Sequence, residues 1–337
     1  MNSGIKTTLL ITGYLIVVLA GFMLIPHVIE VTIGDKSHHF LITAILTAFI
    51  GVLLILTNQT EDKTLNIQQA FLMTNLAWLS ISFFGALPLF FSKLDLTFTD
   101  AFFESMSGIT TTGSTILPEI ELASAGVLIW RSLLQWLGGI GIIVMAVTIL
   151  PLLNIGGMQL FRSEGMDVEK VVPKSAEISF SIIKIYLVIT VICIVSYWLG
   201  GMTWFDAVNH AFTTVSTGGF STHTASFGYF DSTLIEVIAI IFIISGSIPF
   251  LSYFKFVRGE FSSFFKDEQI IAFFVILLGS ILIIFAHSAI NVHEEPLYAL
   301  RDAAFNVTSI MTGTGYTTKD YGAWGNFAVF YFLILMF

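Results

Sequence analysis

Long apolar runs broken by short polar clusters organise this chain. Eight hydrophobic stretches, with approximate limits 7–25, 39–57, 69–92, 124–153, 178–200, 231–254, 269–287 and 321–337, are read as membrane-crossing segments, the last one incomplete. A bilayer-crossing helix needs about 20 predominantly apolar residues. The first stretch lacks a small-residue cleavage site before Ile25 and Pro26 and is followed by further spans, so it reads as a retained helix and not a secretion signal. Between three pairs of stretches, segments 98–117, 204–222 and 299–318 return to polar Gly/Thr clusters. Each is too short to cross twice as helix but long enough for a half-helix and an extended return. Non-helical backbone at membrane depth survives only where protein buries it or a watery cavity meets it. The three segments are therefore candidates for pore lining.

Composition agrees with a membrane protein. Mean hydropathy is +0.89, and charged residues make up 11% of the chain, against about 25% in soluble domains. The 33 phenylalanines suit lipid-facing and interhelical packing. A net charge of −9 without a basic stripe argues against nucleic acid as a partner, leaving membrane lipid as the surrounding phase. The single cysteine, Cys193, permits no internal disulfide and reads as a small buried hydrophobe. With a cytoplasmic N-terminus, the inner side receives Lys6, Lys63, Arg162, Lys170, Lys174, Lys184, Lys255, Arg258 and Lys266. The outer side receives Lys36, Lys93, Arg131, Arg301 and Lys319. This asymmetry supports the N-inside orientation, which puts all three Gly/Thr segments on the outer side. The acidic outer loop around His293, Glu294 and Glu295 reads as a solvated loop, as do His38 and His39.

The three segments share one register. Each opens with Asp-Ala, at Asp100, Asp206 and Asp302, and each has a glycine thirteen residues later, at Gly113, Gly219 and Gly315. Four residues after the aspartate come Glu104, His210 and Asn306. The glycine runs comprise Thr110, Thr111, Thr112 and Gly113; then Ser216, Thr217, Gly218 and Gly219; then Thr312, Gly313, Thr314 and Gly315. Three copies in one register indicate internal repetition. The aspartates are placed as caps of short pore helices, where a carboxylate meets free N–H groups and the positive end of the dipole. The opposite helix ends favour a cation, and glycine permits the backbone needed to turn carbonyls inward as a substitute hydration shell. Glu104, His210 and Asn306 are expected to anchor the filter from behind. Taken alone, these residues indicate a monovalent cation.

A resemblance narrows this. Trp130 to Gly141 (WRSLLQWLGGIG) resembles the helix after the first filter in the TrkH family, and Gly156 to Glu164 (GGMQLFRSE) resembles its cytoplasmic end. Thr213 to His223 (TTVSTGGFSTH) and Gly246 to Phe250 (GSIPF) fit the same family, so the resemblance covers nearly the whole chain. It implies an all-α membrane fold of the Trk/Ktr/HKT superfamily, in which two extra helices precede four M1–pore helix–filter–M2 units in pseudo-fourfold array around one pore. It also implies potassium as the bound and transported ion, a bacterial inner-membrane location, a homodimer, and a cytoplasmic nucleotide-binding partner of the TrkA type. In plant relatives a serine at the position of Gly113 accompanies sodium transport, so Gly113 favours potassium. The matching division is residues 1–67 for the extra helices, 68–177 and 178–268 for two repeats, and 269–337 for a third. On that pattern the chain stops at Phe337 within the third M2 and before a fourth repeat. The expectation is that this polypeptide alone is not a competent transporter, being a fragment or one half of a split transporter.

Two other classes fit less of the chain. A secondary transporter with broken helices would use Ser245, Gly246, Ser247 and Pro249 as a discontinuity, yet gives no reason for three aligned loops. A membrane enzyme would draw on His38 with His39, His210, His223, Asp206 and Asp231, but neither a HExxH spacing nor a Gly-x-Ser-x-Gly elbow occurs. Arg131 is expected to snorkel or to pair with a carboxylate.

Overall fold

The computed structural model describes residues 3–60, 67–149, 168–292 and 295–337. Lys63, Arg162, His293, Glu294 and the Gly156–Glu164 motif lie outside the described residues. The described chain is all-helical. Helices α1 (Ser3–Phe22) and α2 (Leu24–Thr32) run on as one long apolar element, followed by α3 (His39–Thr57) and α4 (Ile67–Phe90). The short helix α5 (Phe98–Ile109) precedes α6 (Ala125–Ile149) and α7 (Val168–Leu199). A second short helix, α8 (Trp204–Val215), leads to α9 (Thr233–Ser247), α10 (Phe250–Val257), α11 (Phe261–Phe265) and α12 (Glu268–His287). The third, α13 (Pro296–Met311), is followed by α14 (Asn326–Leu335).

Among the described residues, six helices are long and apolar enough to cross a membrane, and a bent pair makes a seventh candidate. Their surfaces are inverted relative to a soluble protein. Ile42, Phe49, Val275 and Leu282 face outward, whereas Gln135, Thr213, Asn306 and Thr308 are fully buried. Lipid solvates the apolar faces, and every polar group placed inside must find a protein partner. This is a multi-pass membrane protein.

Several boundaries differ from the hydropathy pattern. The first span continues to Thr32, because Pro26 falls in the first turn of α2, where no backbone donor is needed. The stretch expected as one span over 231–254 is two helices meeting at 89°. Pro249 starts the second of them, and the Tyr253 hydroxyl donates to the Ser245 carbonyl at the break, at 2.8 Å. The run 321–337 opens as a 3-10 turn, Tyr321–Trp324, and Gly325 at φ +94° redirects the chain before α14. His39 is not a solvated loop residue: it begins α3, and its side chain is 9% exposed, 3.8 Å from the buried Glu30.

Small residues set the helix crossings. A Cβ on Gly13 would lie 2.9 Å from the Gly51 carbonyl, and one on Gly51 would lie 3.0 Å from the Gly13 carbonyl, so α1 and α3 cross backbone to backbone. The same device seats α6 on the first short helix, where a Cβ on Gly138 would meet the Ile109 carbonyl at 1.9 Å. Gly246 does so in α9 against the Val215 carbonyl, at 2.6 Å. Ile109 and Val215 occupy the same position in the two repeats. The span from Ala125 to Ile143 is 61% buried, against 22% for Glu268–Ile290, which places α6 at the centre of the bundle and against the Gly/Thr loops.

Candidate functional site

Three short helices, α5, α8 and α13, each end at a Gly/Thr run. Their starts correct one expectation: the aspartates are not the terminal caps. Thr97 caps α5, and Asp100 is the third helical residue of a reciprocal capping box. Its carboxylate accepts the Thr97 backbone N–H at 3.1 Å and the Thr97 hydroxyl at 2.6 Å. Thr203 likewise caps α8 and donates its hydroxyl to Asp206 at 2.6 Å. In the third copy Ala299 stands where the threonine would be. That helix therefore begins earlier, at Pro296, and Asp302 instead pairs with Lys319 at 2.5 Å. Asp206 also ties its helix to the chain beyond the loop, accepting from the Thr222 hydroxyl at 2.7 Å.

The residues four beyond each aspartate lie behind the loops, buried, and bond to the returning chain fifteen or sixteen residues after the aspartate. Glu104 accepts from the Thr115 hydroxyl at 2.9 Å and the Ile116 N–H at 3.1 Å. His210 Nε2 meets the Ser221 hydroxyl at 3.0 Å. The Asn306 amide donates to the Thr318 hydroxyl at 2.9 Å. Seven residues beyond the aspartate, Ser107 donates to the Ser114 carbonyl at 2.6 Å and Ser309 to the Tyr316 carbonyl at 2.7 Å. Each return is thereby fastened to its own short helix.

The loops repeat a backbone pattern that residue types only half reveal. The glycines thirteen beyond the aspartate have φ of +79° (Gly113), +78° (Gly219) and +82° (Gly315). The positions two before them are also left-handed: Thr111 at +56°, Thr217 at +52° and Gly313 at +74°. Two threonines thus hold a conformation that costs a non-glycine residue about 1–2 kcal/mol. The intervening Thr112, Gly218 and Thr314 do not have positive φ. Alternating handedness turns successive carbonyls toward one side, where a strand would alternate them. The hydroxyls brace the turn locally, with 2.8 Å contacts between Thr110 and Thr112 and between Thr312 and Thr314. Ser216 donates to the Thr213 carbonyl at 3.3 Å.

The loops also pack edge to edge in chain order. A Cβ on Gly113 would come within 2.1 Å of the Gly218 carbonyl, and one on Gly219 within 1.7 Å of the Thr314 carbonyl, whereas one on Gly315 would meet nothing within 4 Å. The second loop, flanked by both neighbours, is accordingly the most buried of the three, with Ser216 and Gly218 buried and Thr217 and Gly219 half-buried.

Residues outside the Gly/Thr runs join these loops. Gln135 of α6 donates to the Gly218 carbonyl at 2.6 Å and accepts the Phe220 N–H at 3.0 Å. Arg131, one turn earlier, pairs with Glu104 at 2.7 Å with both side chains buried. Tyr316 reaches back from the third loop to the hydroxyls of Thr213 and Thr214. Farther out, Glu121 accepts from the Thr224 N–H at 2.8 Å and from its hydroxyl, and these bonds hold its carboxyl below the usual carboxylate range. The Arg131–Glu104 pair is the carboxylate pairing expected of Arg131, and a signal for Gln135 existed too, since a polar side chain inside an apolar helix needs a buried partner. Among the described residues no group of three or more His, Cys, Asp or Glu is arranged to hold a metal.

An all-helical bundle with six apolar spans among the described residues, in which three short helices each lead into a loop twisted alike and buttressed from behind, defines a multi-pass membrane protein. The TrkH family of cation transport proteins matches residues 36–337, and the chain belongs to that family. It is 43% identical over 273 residues to the Trk system potassium uptake protein TrkI of Halomonas elongata, covering 80% of this chain and 55% of that relative. To TrkH of Escherichia coli K12 it is 37% identical over 324 residues, covering 93% of this chain and 66% of the relative. The crystal structure of the potassium transporter TrkH from Vibrio parahaemolyticus superimposes with a TM-score of 0.89 at 34% identity, covering 98% of this chain and 69% of that one. The chain thus spans roughly half to two thirds of the length of these curated relatives.

Proposed function

We propose that the chain forms the greater part of a potassium-uptake pathway, with the three Gly/Thr loops as its selectivity filter. The observation that carries this reading is the shared backbone of the loops, left-handed at the same two positions in each repeat. Such strain persists only where the surroundings over-determine it, and here it aligns carbonyls that replace the hydration shell of a monovalent cation. Thr110 to Gly113, Ser216 to Gly219 and Thr312 to Gly315 line the pathway. Glu104, His210 and Asn306 hold these runs, while Asp100, Asp206 and Asp302 secure the short helices. The Gly218 carbonyl, already bonded to Gln135, is the least free of the set. The short helices end at the loops, so the negative ends of their dipoles face the ion.

The curated relatives' potassium uptake activity supports potassium as the transported ion and transport, not catalysis, as the activity. We further infer one pair of leading helices (1–67) and pore repeats over 68–177, 178–268 and 269–337. The N-terminus is cytoplasmic in an inner membrane, and the working assembly is a homodimer with a TrkA-type nucleotide-binding subunit. Rubidium uptake by cells lacking other potassium systems tests the filter. Gly113→Ser and Gly219→Ser are expected to lower the preference for rubidium over sodium by about tenfold or more, the ratio that ~1.4 kcal/mol of differential binding produces. Unchanged cation preference in both variants would refute the filter assignment.

A further inference from the structure

We propose that Arg131 is a positioning residue for ion selection, holding the first and second loops at a set separation through one buried guanidinium. The proposal rests on the filter reading and adds a part to it. Arg131 is 1% exposed and stands on α6, outside every Gly/Thr run. Its Nε donates to Glu104 Oε1 at 2.7 Å, joining it to the first short helix. Nη2 donates to the Thr115 hydroxyl at 3.2 Å, on the return of the first loop. Nη1 donates to the Ser221 carbonyl at 3.2 Å, on the return of the second loop. The plane is seated on the Phe220 ring, 4.1 Å from the guanidinium carbon to the centroid. One rigid fork therefore reaches three separate segments beside the filter, two through side chains and one at a backbone carbonyl.

The neighbouring repeats emphasise what this adds. At the positions equivalent to Glu104, His210 and Asn306 fasten the returns of their own loops, through Ser221 and Thr318. Only the first repeat places a carboxylate there, and that carboxylate recruits a cation that also grips the next repeat. The Ser221 carbonyl on Nη1 lies one residue after Phe220, whose N–H is held by Gln135. Two side chains one turn apart on α6 thus hold successive residues of the second return, and the second loop inherits its position from α6. A lysine at 131 would keep the charge opposite Glu104. It cannot supply three donors in one plane to three fixed acceptors.

The test compares Arg131→Lys with wild type in the full protein, reading rubidium uptake under sodium competition together with the size-exclusion profile of the purified protein. The expected result is normal folded yield with a rubidium-over-sodium preference lowered about tenfold, the effect of one lost hydrogen bond to a charged group. Folded protein with unchanged preference overturns the proposal. Should Arg131→Lys fail to fold, Thr115→Val decides: it leaves the Arg131–Glu104 pair and removes the hydroxyl both partners share. A fall in preference of about tenfold, the effect of one lost hydrogen bond to a charged group, supports the proposal, and no change refutes it. Gly113→Ser run in parallel separates the two claims. If it alters selectivity while the Arg131 and Thr115 variants do not, the filter stands and the positioning role is lost. If neither Gly113→Ser nor Gly219→Ser has an effect, the filter reading itself fails.

Discussion

The junction between the first and second loops is ionic, whereas the junction between the second and third is made of hydroxyls, an aromatic ring and backbone. On the first side Arg131, Glu104 and Gln135 join α6 to both loops, and Glu121 extends the link outward to Thr224. On the second side Tyr316 reaches the Thr213 and Thr214 hydroxyls. There the Gly228 N–H donates to the Thr317 carbonyl at 3.1 Å, and the Thr317 N–H to the Ser226 hydroxyl at 3.3 Å. Both junctions bring the same backbone turn to the same place. Equivalent geometry therefore does not require equivalent chemistry, and the two should respond differently when one partner is removed.

Removing charge from the first junction should have the largest effect. Arg131→Met leaves Glu104 buried without its cation, which costs about 3–5 kcal/mol, and a fall in the thermal unfolding midpoint of detergent-solubilised protein would record it. The glycines give the next contrast. Gly219→Ala combines a positive φ with a Cβ 1.7 Å from the Thr314 carbonyl, while Gly315→Ala meets nothing within 4 Å. The first should abolish selective rubidium uptake. The second should retain most of it and lose only the roughly 1 kcal/mol of a left-handed alanine. Equal loss in both would mean that loop-to-loop packing is not the constraint.

At the second junction, Tyr316→Phe removes a hydroxyl with three neighbours, Thr213, Thr214 and the His210 carbonyl. Net loss should be about 1 kcal/mol, well below that of Arg131→Met in the same unfolding assay. The smallest effect belongs to Glu121. Hydrogen bonds from Thr224 favour its carboxylate, so its pKa is lower in the folded chain than in the unfolded one. Its contribution is complete above the ordinary carboxylate pKa and is lost as pH falls through the folded-state value. Glu121→Gln should narrow the gap in unfolding midpoint to wild type on acidification and leave a small destabilisation at neutral pH.

Much of the site was legible because it is local. A shared aspartate register located three short helices, and the residues four beyond faced the returns as a helix dictates. The glycine thirteen beyond announced a left-handed turn. What escaped was either masked by residue type or distant in sequence. Thr111 and Thr217 carry no mark of positive φ, and only Gly313 at the same position in the third loop hints at it. Thr97 and Thr203, three residues before the aspartates, proved to be the true caps, and the third copy departs because alanine cannot cap. The break at Pro249 was visible as a residue cluster, but its 89° angle was not.

Periodicity, hydropathy and the repeated register by themselves determined that this is a multi-pass helical membrane protein with three short helices that each lead into a Gly/Thr loop. Each depends on a residue and its near neighbours, and in lipid the backbone has few ways to satisfy its own polar groups. Tertiary structure alone decided which repeat touches which, and through what chemistry. Gln135 meets Gly218 across 83 residues of chain and Arg131 meets Ser221 across 90. Contacts of that separation leave no periodic trace, because a buried donor can be satisfied by any acceptor the fold brings within reach.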